Sequence, residues 1–270
     1  MAIPTANLIG SYDFSNTSSY PGSGTSLNDL STSNNDLTNT TLTGTFSGSG
    51  QSKYYNFAGG ADQFWRNNSG LAVTQLYTAS QFMWVRSSNW LGSGNECLAA
   101  WGEDIGGGGG HVAMWKNISA FGSPANWGMM GSACAATTFP GGLTANAWLH
   151  IGYVIDGTTA KLYLNGVQVN SVPQNLYVGG STGTTGFISN YYSPYLAPIT
   201  LGGLYTNYYS AGGFDLAIAE FYDVTLSGAE ALELYNSQES RFFPAPPPPG
   251  PILSSPGPVG GRRFGGRFNG

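Results

Sequence analysis

From Leu8 to Asn236, short apolar runs alternate with turns rich in Gly, Ser and Asn, the rhythm of many strands packed in an antiparallel sandwich. Runs at Leu8 to Phe14, Tyr54 to Phe57, Phe82 to Arg86, Leu98 to Trp101, Val112 to Trp115, Leu149 to Ile155, Lys161 to Leu164, Ile199 to Leu201 and Phe214 to Val224 read as strands. Two turn dipeptides, Asp156-Gly157 and Asn165-Gly166, tolerate the positive φ that a two-residue hairpin loop demands. The stretch from Trp148 to Val167 therefore predicts three short strands in an antiparallel meander. Behind the last run, Ser227 and Glu230 stand three apart and can satisfy each other's free backbone donors as a capping box. One short terminal helix is expected there, where Ala and Leu become dense before Tyr235.

The meander spells W-x-H-I-x-x-x-x-D-G from Trp148 to Gly157 and L-Y-x-N-G from Leu162 to Gly166, and this pattern resembles the laminin-G-like, concanavalin A-type lectin domains. The resemblance extends along the body. Leu8 to Phe14, then Leu27 to Ser31 and Asn34-Asn35-Asp36, look like the family's opening strand and its D-x-S-x-x-x-N turn. Tyr55 to Asp62 is similar to its F-D-G-x-x-D element, while Ile199 to Gly203 and Asp215 to Tyr235 look like its closing strand, S-x-x-E corner and terminal helix. The resemblance implies an all-β fold, an antiparallel β-sandwich of the concanavalin A-like jelly-roll type with one short C-terminal helix. It also implies a setting, since laminin-G-like domains lacking a signal peptide occur in virus and phage particle proteins.

Composition agrees with a turn-rich sandwich: only 9% of residues are charged, 41 are Gly, and aromatics reach 14%. A helical chain of this length would carry far more Glu, Lys, Ala and Leu. About 240 residues of globular sequence bury roughly three quarters of the surface exposed by the unfolded chain, so no disulfide or metal staple is required. The expected organisation is one jelly-roll domain over residues 1–243 and an extended tail over 244–270. No run of about 18 apolar residues is present, so no spanning helix and no membrane insertion are expected. The first residues, Met1 to Leu8, lack the basic and apolar regions of a secretory signal. Cys97 and Cys134 are placed either on neighbouring strands as one bridge or apart as two buried thiols.

After Phe243 the composition changes. The tail holds eight of the fifteen prolines, seven glycines and no acid, too little apolar surface to fold alone. Pro244 to Pro251 reads as a stiff polyproline II spacer, and the tail can reach on the order of 80 Å at about 3.1 Å per residue. It ends in Arg262-Arg263-Phe264-Gly265-Gly266-Arg267-Phe268, three of the chain's nine cations interleaved with two rings, whereas all fourteen acids lie before it. Arg262, Arg263, Phe264, Arg267 and Phe268 are accordingly read as a docking arm toward other proteins of an assembly, Arg giving charge-assisted bonds and Phe filling apolar pockets.

Candidate chemistry is sparse. Glycoside hydrolysis needs two carboxyl groups flanking the scissile bond, roughly 5–5.5 Å apart in retaining enzymes, and no E-x-D-x-x-E alternation is present. Glu103 and Asp104 are adjacent and so face opposite sides of a strand, and on the closing strand Asp215 and Asp223 share one parity while Glu220 has the other. His150 reads as a packed, hydrogen-bonded structural residue, no zinc motif is present, and the run Gly106 to Gly110 lacks the G-K-(S/T) of a phosphate loop. Asp29 and Asp62 are the best candidates for a Ca²⁺ site because hard oxygens in turns suit that ion, although Asp is also an ordinary turn-former. Two aromatic loops offer the best binding surface: Asn190, Tyr191, Tyr192 and Tyr195, then Asn207, Tyr208 and Tyr209. Their rings can stack on the apolar face of a sugar while amides and hydroxyls address its edges, or they can fill an interface in a homo-oligomer. The body, with six basic and fourteen acidic residues, is disfavoured for nucleic-acid recognition by its charge, although the Arg tail alone could touch phosphates.

The expectation assembled from these readings is a non-enzymatic virion structural or accessory protein, assembled in the host cell, with a lectin-like sandwich anchored by its tail. The alternatives are a soluble carbohydrate-binding lectin and, third, a glycoside-active enzyme.

Overall fold

Along Thr78 to Ser87, alternation sends Ala79, Met83 and Val85 to one face and Ser80, Phe82, Trp84 and Arg86 to the other, yet nearly every position is buried. All nine residues from Phe214 to Tyr222 are buried as well. Strands closed off on both faces need a layer on each side. The computed structural model supplies both. It describes residues 5–39, 44–58, 64–67, 75–76, 78–90, 96–102, 111–118, 125–131, 134–139, 143–157, 159–173, 188–189, 198–203 and 212–243.

In chain order the strands are β1 (Leu8–Asp13), β2 (Ser26–Leu27), β3 (Leu37–Thr38), β4 (Thr45–Ser47), β5 (Tyr54–Phe57), β6 (Trp65–Arg66), β7 (Gln75–Leu76), β8 (Thr78–Ser87), β9 (Glu96–Gly102), β10 (His111–Ile118), β11 (Ala125–Gly131), β12 (Cys134–Phe139), β13 (Leu149–Asp156), β14 (Thr159–Leu164), β15 (Val167–Pro173), β16 (Ile188–Ser189), β17 (Ile199–Leu201) and β18 (Phe214–Tyr222). One sheet runs β15-β14-β13-β8-β18-β5-β4, with β1 sharing the outer edge of β18 with β5. The other runs β12-β11-β10-β9-β17-β6-β3-β2, and β7 pairs with β16 apart from both. Every ladder is antiparallel. The inner faces meet in one core that draws Tyr12, Met83, Tyr153 and Phe221 from the first sheet and Trp65, Trp101, Met114 and Trp127 from the second. The fold is an antiparallel β-sandwich with one short helix, as the polar and apolar pattern implied.

The meander is present as β13, β14 and β15. Asn165 and Gly166 take φ of 50° and 75°, the pair of positive values a type I′ turn needs. Asp156 closes the first turn by accepting from Thr159 N at 2.8 Å and pairing with Lys161 at 3.0 Å. The capping box also forms: Glu230 N donates to Ser227 Oγ at 3.2 Å and Ser227 N donates to Glu230 Oε2 at 2.7 Å. It starts α1 (Gly228–Gln238), followed by a 3₁₀ turn over Glu239–Arg241. Ala231, Leu234 and Gln238, spaced three and four apart, turn one stripe of α1 onto the outer face of the first sheet. There Leu226, Ala231 and Leu234 join Phe82, Val154, Tyr163 and Tyr222, while Phe242 stacks on Trp84 at 4.2 Å.

Of the two alternatives for the cysteines the structure supports separate thiols, and one expectation needs correction. Cys97 on β9 is a buried free thiol, and β10 and β11 separate β9 from β12, which carries Cys134. Three strand spacings put the backbones on the order of 14 Å apart, twice what a disulfide spans. The parity assigned to β18 fails. Its register against β8 slips between Leu216 and Ile218, a bulge that places Ala217 and Ile218 in the same outer cluster with Trp84. Asp215 and Glu220 therefore share the outer face.

That outer face buries two titratable groups beneath α1. His150 lies among Phe82, Trp84 and Tyr235, at ring distances of 5.4, 5.2 and 5.9 Å. It is packed as expected, but neither ring nitrogen has a partner; its backbone carries the bonds instead, receiving Asn165 N at 2.7 Å and donating to Asn165 Oδ1 at 3.0 Å. Burial lowers the imidazole from 6.5 to about 3. Glu220 accepts from Gln238 Nε2 at 3.2 Å on both oxygens, and burial lifts it from 4.5 to about 7 against the opposing pull of that bond.

The two groups act on stability with opposite sign. The Glu220 contribution is complete below pH 4.5 and is lost as pH rises through 7, because only the folded state holds its proton in that window. The His150 contribution is complete above pH 6.5 and is lost as pH falls through 3. Between 4.5 and 6.5 the slopes cancel, so urea midpoints are expected to be flat in that range. Glu220→Gln is expected to leave a stability that rises with pH across the window by about 1 kcal/mol per unit, and His150→Phe one that falls by a similar amount. Parallel slopes in the two variants would contradict this account.

Candidate functional site

Where β1 ends at Asp13, a series of side-chain to backbone bonds rolls the chain into a compact turn. Ser15 N and Oγ donate to Asp13 Oδ1 at 2.9 and 2.8 Å, Ser18 N donates to Asn16 Oδ1 at 2.9 Å, and Tyr20 N donates to Asn16 O at 2.8 Å. This turn sets Tyr20 beside strand β4, which among the described residues pairs only with β5 and carries Phe46 opposite Tyr55. Tyr20 and Phe46 stack at 4.0 Å with 12° between their planes. Beneath them Phe14 stacks on Tyr55 at 5.7 Å, and Trp65 meets Phe14 and Tyr20 edge-on at 6.0 Å each. The result is an aromatic column that rises from the core and ends in Phe46, which is 36% exposed.

The top of the column floors a cleft of about 220 Å³. Phe14, Tyr20 and Phe46 supply its apolar surface, while Thr17, Ser47 and Lys53 supply polar groups at the rim. Gly48 lets the far wall turn back: its φ is +84°, and a Cβ there would lie 2.5 Å from Ser52 O. Arg241 ties both walls together. Its Nη1 and Nη2 each reach the Asp13 carboxylate at 2.9 Å, Nη2 also donates to Ser15 Oγ at 2.6 Å, and Nε donates to Gln51 O at 2.9 Å. One wall hangs from Asp13 and Ser15, the other from the 3₁₀ turn Gly50–Ser52, and a single guanidinium fixes their separation.

The described lining of the cleft includes none of the sequence-predicted site residues. Asn190, Tyr191, Tyr192, Tyr195, Asn207, Tyr208 and Tyr209 lie outside the described residues, as do Asp62, Asp104, Gly106 to Gly110 and the tail residues Arg262, Arg263, Phe264, Arg267 and Phe268. Asp29 is described. Its two oxygens accept from Ser11 N, Ser31 N, Ser31 Oγ and Asn35 N at 2.6 to 3.0 Å, knotting the Asp29 to Asp36 turn onto β1. Among the described residues no three His, Cys, Asp or Glu side chains come together. Asp215 is held by Arg86 at 2.6 Å and Asn56 at 2.7 Å.

The cleft residues escaped the sequence reading because three separate segments contribute them. A usable signal was there: Phe46 is a lone ring among Thr, Ser and Gly, and Tyr20 opens a Tyr-Pro-Gly turn.

No family model matches the chain, and no curated protein matches it by sequence. Solved structures do match in fold. Trypanosoma rangeli sialidase, solved with 2,3-difluorosialic acid, superposes with a TM-score of 0.57 at 16% identity over 89% of this chain. This chain spans 34% of that protein's length. The binding domain of Paraclostridial Mosquitocidal Protein 1 matches at TM-score 0.53 and 19% identity, over 86% of this chain and 52% of that one. Domain 4 of AbnA, a GH43 extracellular arabinanase from Geobacillus stearothermophilus solved with arabinotriose, matches at TM-score 0.55 and 15% identity, over 85% and 98%.

These likenesses show the fold, an antiparallel β-sandwich, and the laminin-G-like resemblance is carried no further than that fold. They also correct the expectation of a non-enzymatic protein. A sialidase and an arabinanase, glycoside-active enzymes by name, contain this fold, so the fold does not separate this chain from such proteins. Among the described residues no helix is long and apolar enough to cross a membrane.

The wall geometry is open to test with two glycines. Gly48→Ala is expected to cost about 1–2 kcal/mol in chemical denaturation, combining an unfavourable φ with the Ser52 contact. Gly22→Ala, at φ +97° but with nothing within 4 Å, is expected to lose only the backbone part, about 1 kcal/mol. Equal losses would show that the Ser52 contact does not shape this wall.

Proposed function

We propose that this chain is a glycan-binding β-sandwich module and that the Phe46 cleft receives the sugar. The observation that carries the reading is an aromatic face left open at the end of a column whose other members are buried, with hydroxyl and ammonium groups around it. Such a floor packs against the C–H face of a pyranose or furanose, and the rim addresses its hydroxyls. At about 220 Å³ the cleft is smaller than the roughly 300–1,000 Å³ of sites for drug-sized ligands, which suits one sugar unit, not a long chain. Fold neighbours solved with sugars support the same reading. The narrower reading as a virion component anchored through Arg262 to Phe268 rests on the laminin-G-like resemblance and on tail composition, and glycan binding is therefore the conclusion.

Binding of the full chain to a glycan array, followed by titration of the best ligand, tests it. Phe46→Ala is expected to weaken that ligand about tenfold and, because the ring packs on Tyr20, Tyr55 and Phe14, to lower the thermal midpoint by a few degrees, with the titration run well below it. Unaltered affinity in Phe46→Ala would move the site elsewhere. Tyr208→Ala tests the second proposed platform, on the aromatic loops, by the same titration: a loss there with Phe46→Ala silent would assign binding to those loops instead.

A further inference from the structure

Cations are rare on this chain, and most of those among the described residues are paired. Arg86 pairs with Asp215, Lys116 with Glu96, Lys161 with Asp156 and Arg241 with Asp13. Arg66 lies over the Phe64 ring at 5.3 Å. Lys53 is the exception among the described residues: it is exposed, has no carboxylate within ion-pair distance, and stands on the rim of the Phe46 cleft. No Asp or Glu lines that cleft among the described residues, and the nearby Asp13 carboxylate is saturated by two Arg241 bonds and two Ser15 bonds. On a chain of net charge −5, the cleft is thus a local site of uncompensated positive charge beside an apolar floor.

Resting on the glycan-binding reading, we propose that the preferred sugar unit is anionic: its ring lies on Phe46 and its carboxylate or sulfate faces the Lys53 ammonium. An ammonium suits this role because it is a compact charge on a flexible stem that can follow an anionic group on a sugar edge. Exposure sets the size of the effect. Solvent-exposed ion pairs change affinity by about twofold to fivefold and weaken as salt shortens the range of the interaction. The ring contact supplies the larger share of affinity, and the ammonium supplies discrimination.

The test uses the full chain and two matched pairs of probes: trigalacturonate against its methyl ester, and a sulfated lactose against lactose. Calorimetric or NMR titration is expected to show the charged member binding two- to fivefold more tightly at low salt in at least one pair, with the difference gone at about 0.5 M salt. Lys53→Gln is expected to equalise the pair, Lys53→Arg to keep the preference, and Phe46→Ala to weaken both members together. The pair that shows the preference identifies carboxylate or sulfate as the anion. Equal binding of charged and neutral members, or a preference that survives in Lys53→Gln, overturns the proposal while leaving glycan binding intact if Phe46→Ala still weakens both. Indifference of every probe to Phe46→Ala overturns the proposal together with the placement of the sugar in the Phe46 cleft.

Discussion

The pairing of β8 with β18 is the constraint on which the rest of the molecule depends. Eight residue pairs run from Phe214 opposite Ser87 to Tyr222 opposite Ser80, and side chains on both faces of this ladder are buried. A central pair of this kind excludes water only if a layer closes each side. The second sheet closes one side, bringing its Trp residues against Met83, Val85 and Phe221. The other side carries Phe82, Trp84, Ala217 and Tyr222, and an antiparallel sheet commonly leaves such a face to solvent. Here α1 and Phe242 occupy it, which explains why a β-sandwich ends in a helix at all. The bulge at Ala217 matters for the same reason, since it adds one more apolar residue to the surface that α1 and Phe242 cover.

Closure by a helix brings polar obligations. The Trp84 indole N–H donates to Gln238 Oε1 at 2.7 Å, and the same amide donates to Glu220, so one residue of α1 satisfies groups on two strands. A buried carboxyl and a buried imidazole under one helix are both pushed toward their neutral forms, the first upward and the second downward. One turn further on, Arg241 leaves the apolar layer and meets Asp13 at the exit of β1. The order of dependence runs from ladder to helix to guanidinium to cleft: without cover for the β8–β18 ladder, the segment that holds the two cleft walls together would have no fixed position.

The parts of this arrangement that were legible in the sequence are those encoded locally. The Asn165-Gly166 turn and the Ser227–Glu230 capping box each depend on residues a few positions apart, and both formed as read. Strand existence was legible wherever the apolar run was long, as along Phe214 to Tyr222. The two-residue strands β2, β3 and β6 were not, because a bridge that short has no period to detect. Parity on β18 was misread since a bulge leaves no mark in the alternation of Asp215, Glu220 and Asp223. The cleft was the least legible feature: Tyr20, Phe46 and Lys53 belong to three segments, and only tertiary structure stacks the first two and leaves the third without an acid.

An exposed Phe on an edge strand is ordinarily a hazard, because an unpaired edge invites another strand and a bare ring invites another apolar surface. This chain limits the first danger by keeping β4 to three residues and turning it sharply at Gly48, whose φ of +84° ends the pairing. It does not remove the second. Tyr20 covers one face of Phe46, yet the residue stays 36% exposed. Leaving that part open gives no stability, since burying a Phe side chain is worth roughly 1.5–3 kcal/mol. Meanwhile the column beneath it, the Asn16 turn and the Arg241 clamp all act to hold the open ring in one place. Rigid support around an apolar face left bare is the arrangement expected of a platform that a ligand completes, since a preordered ring loses little freedom when the ligand arrives.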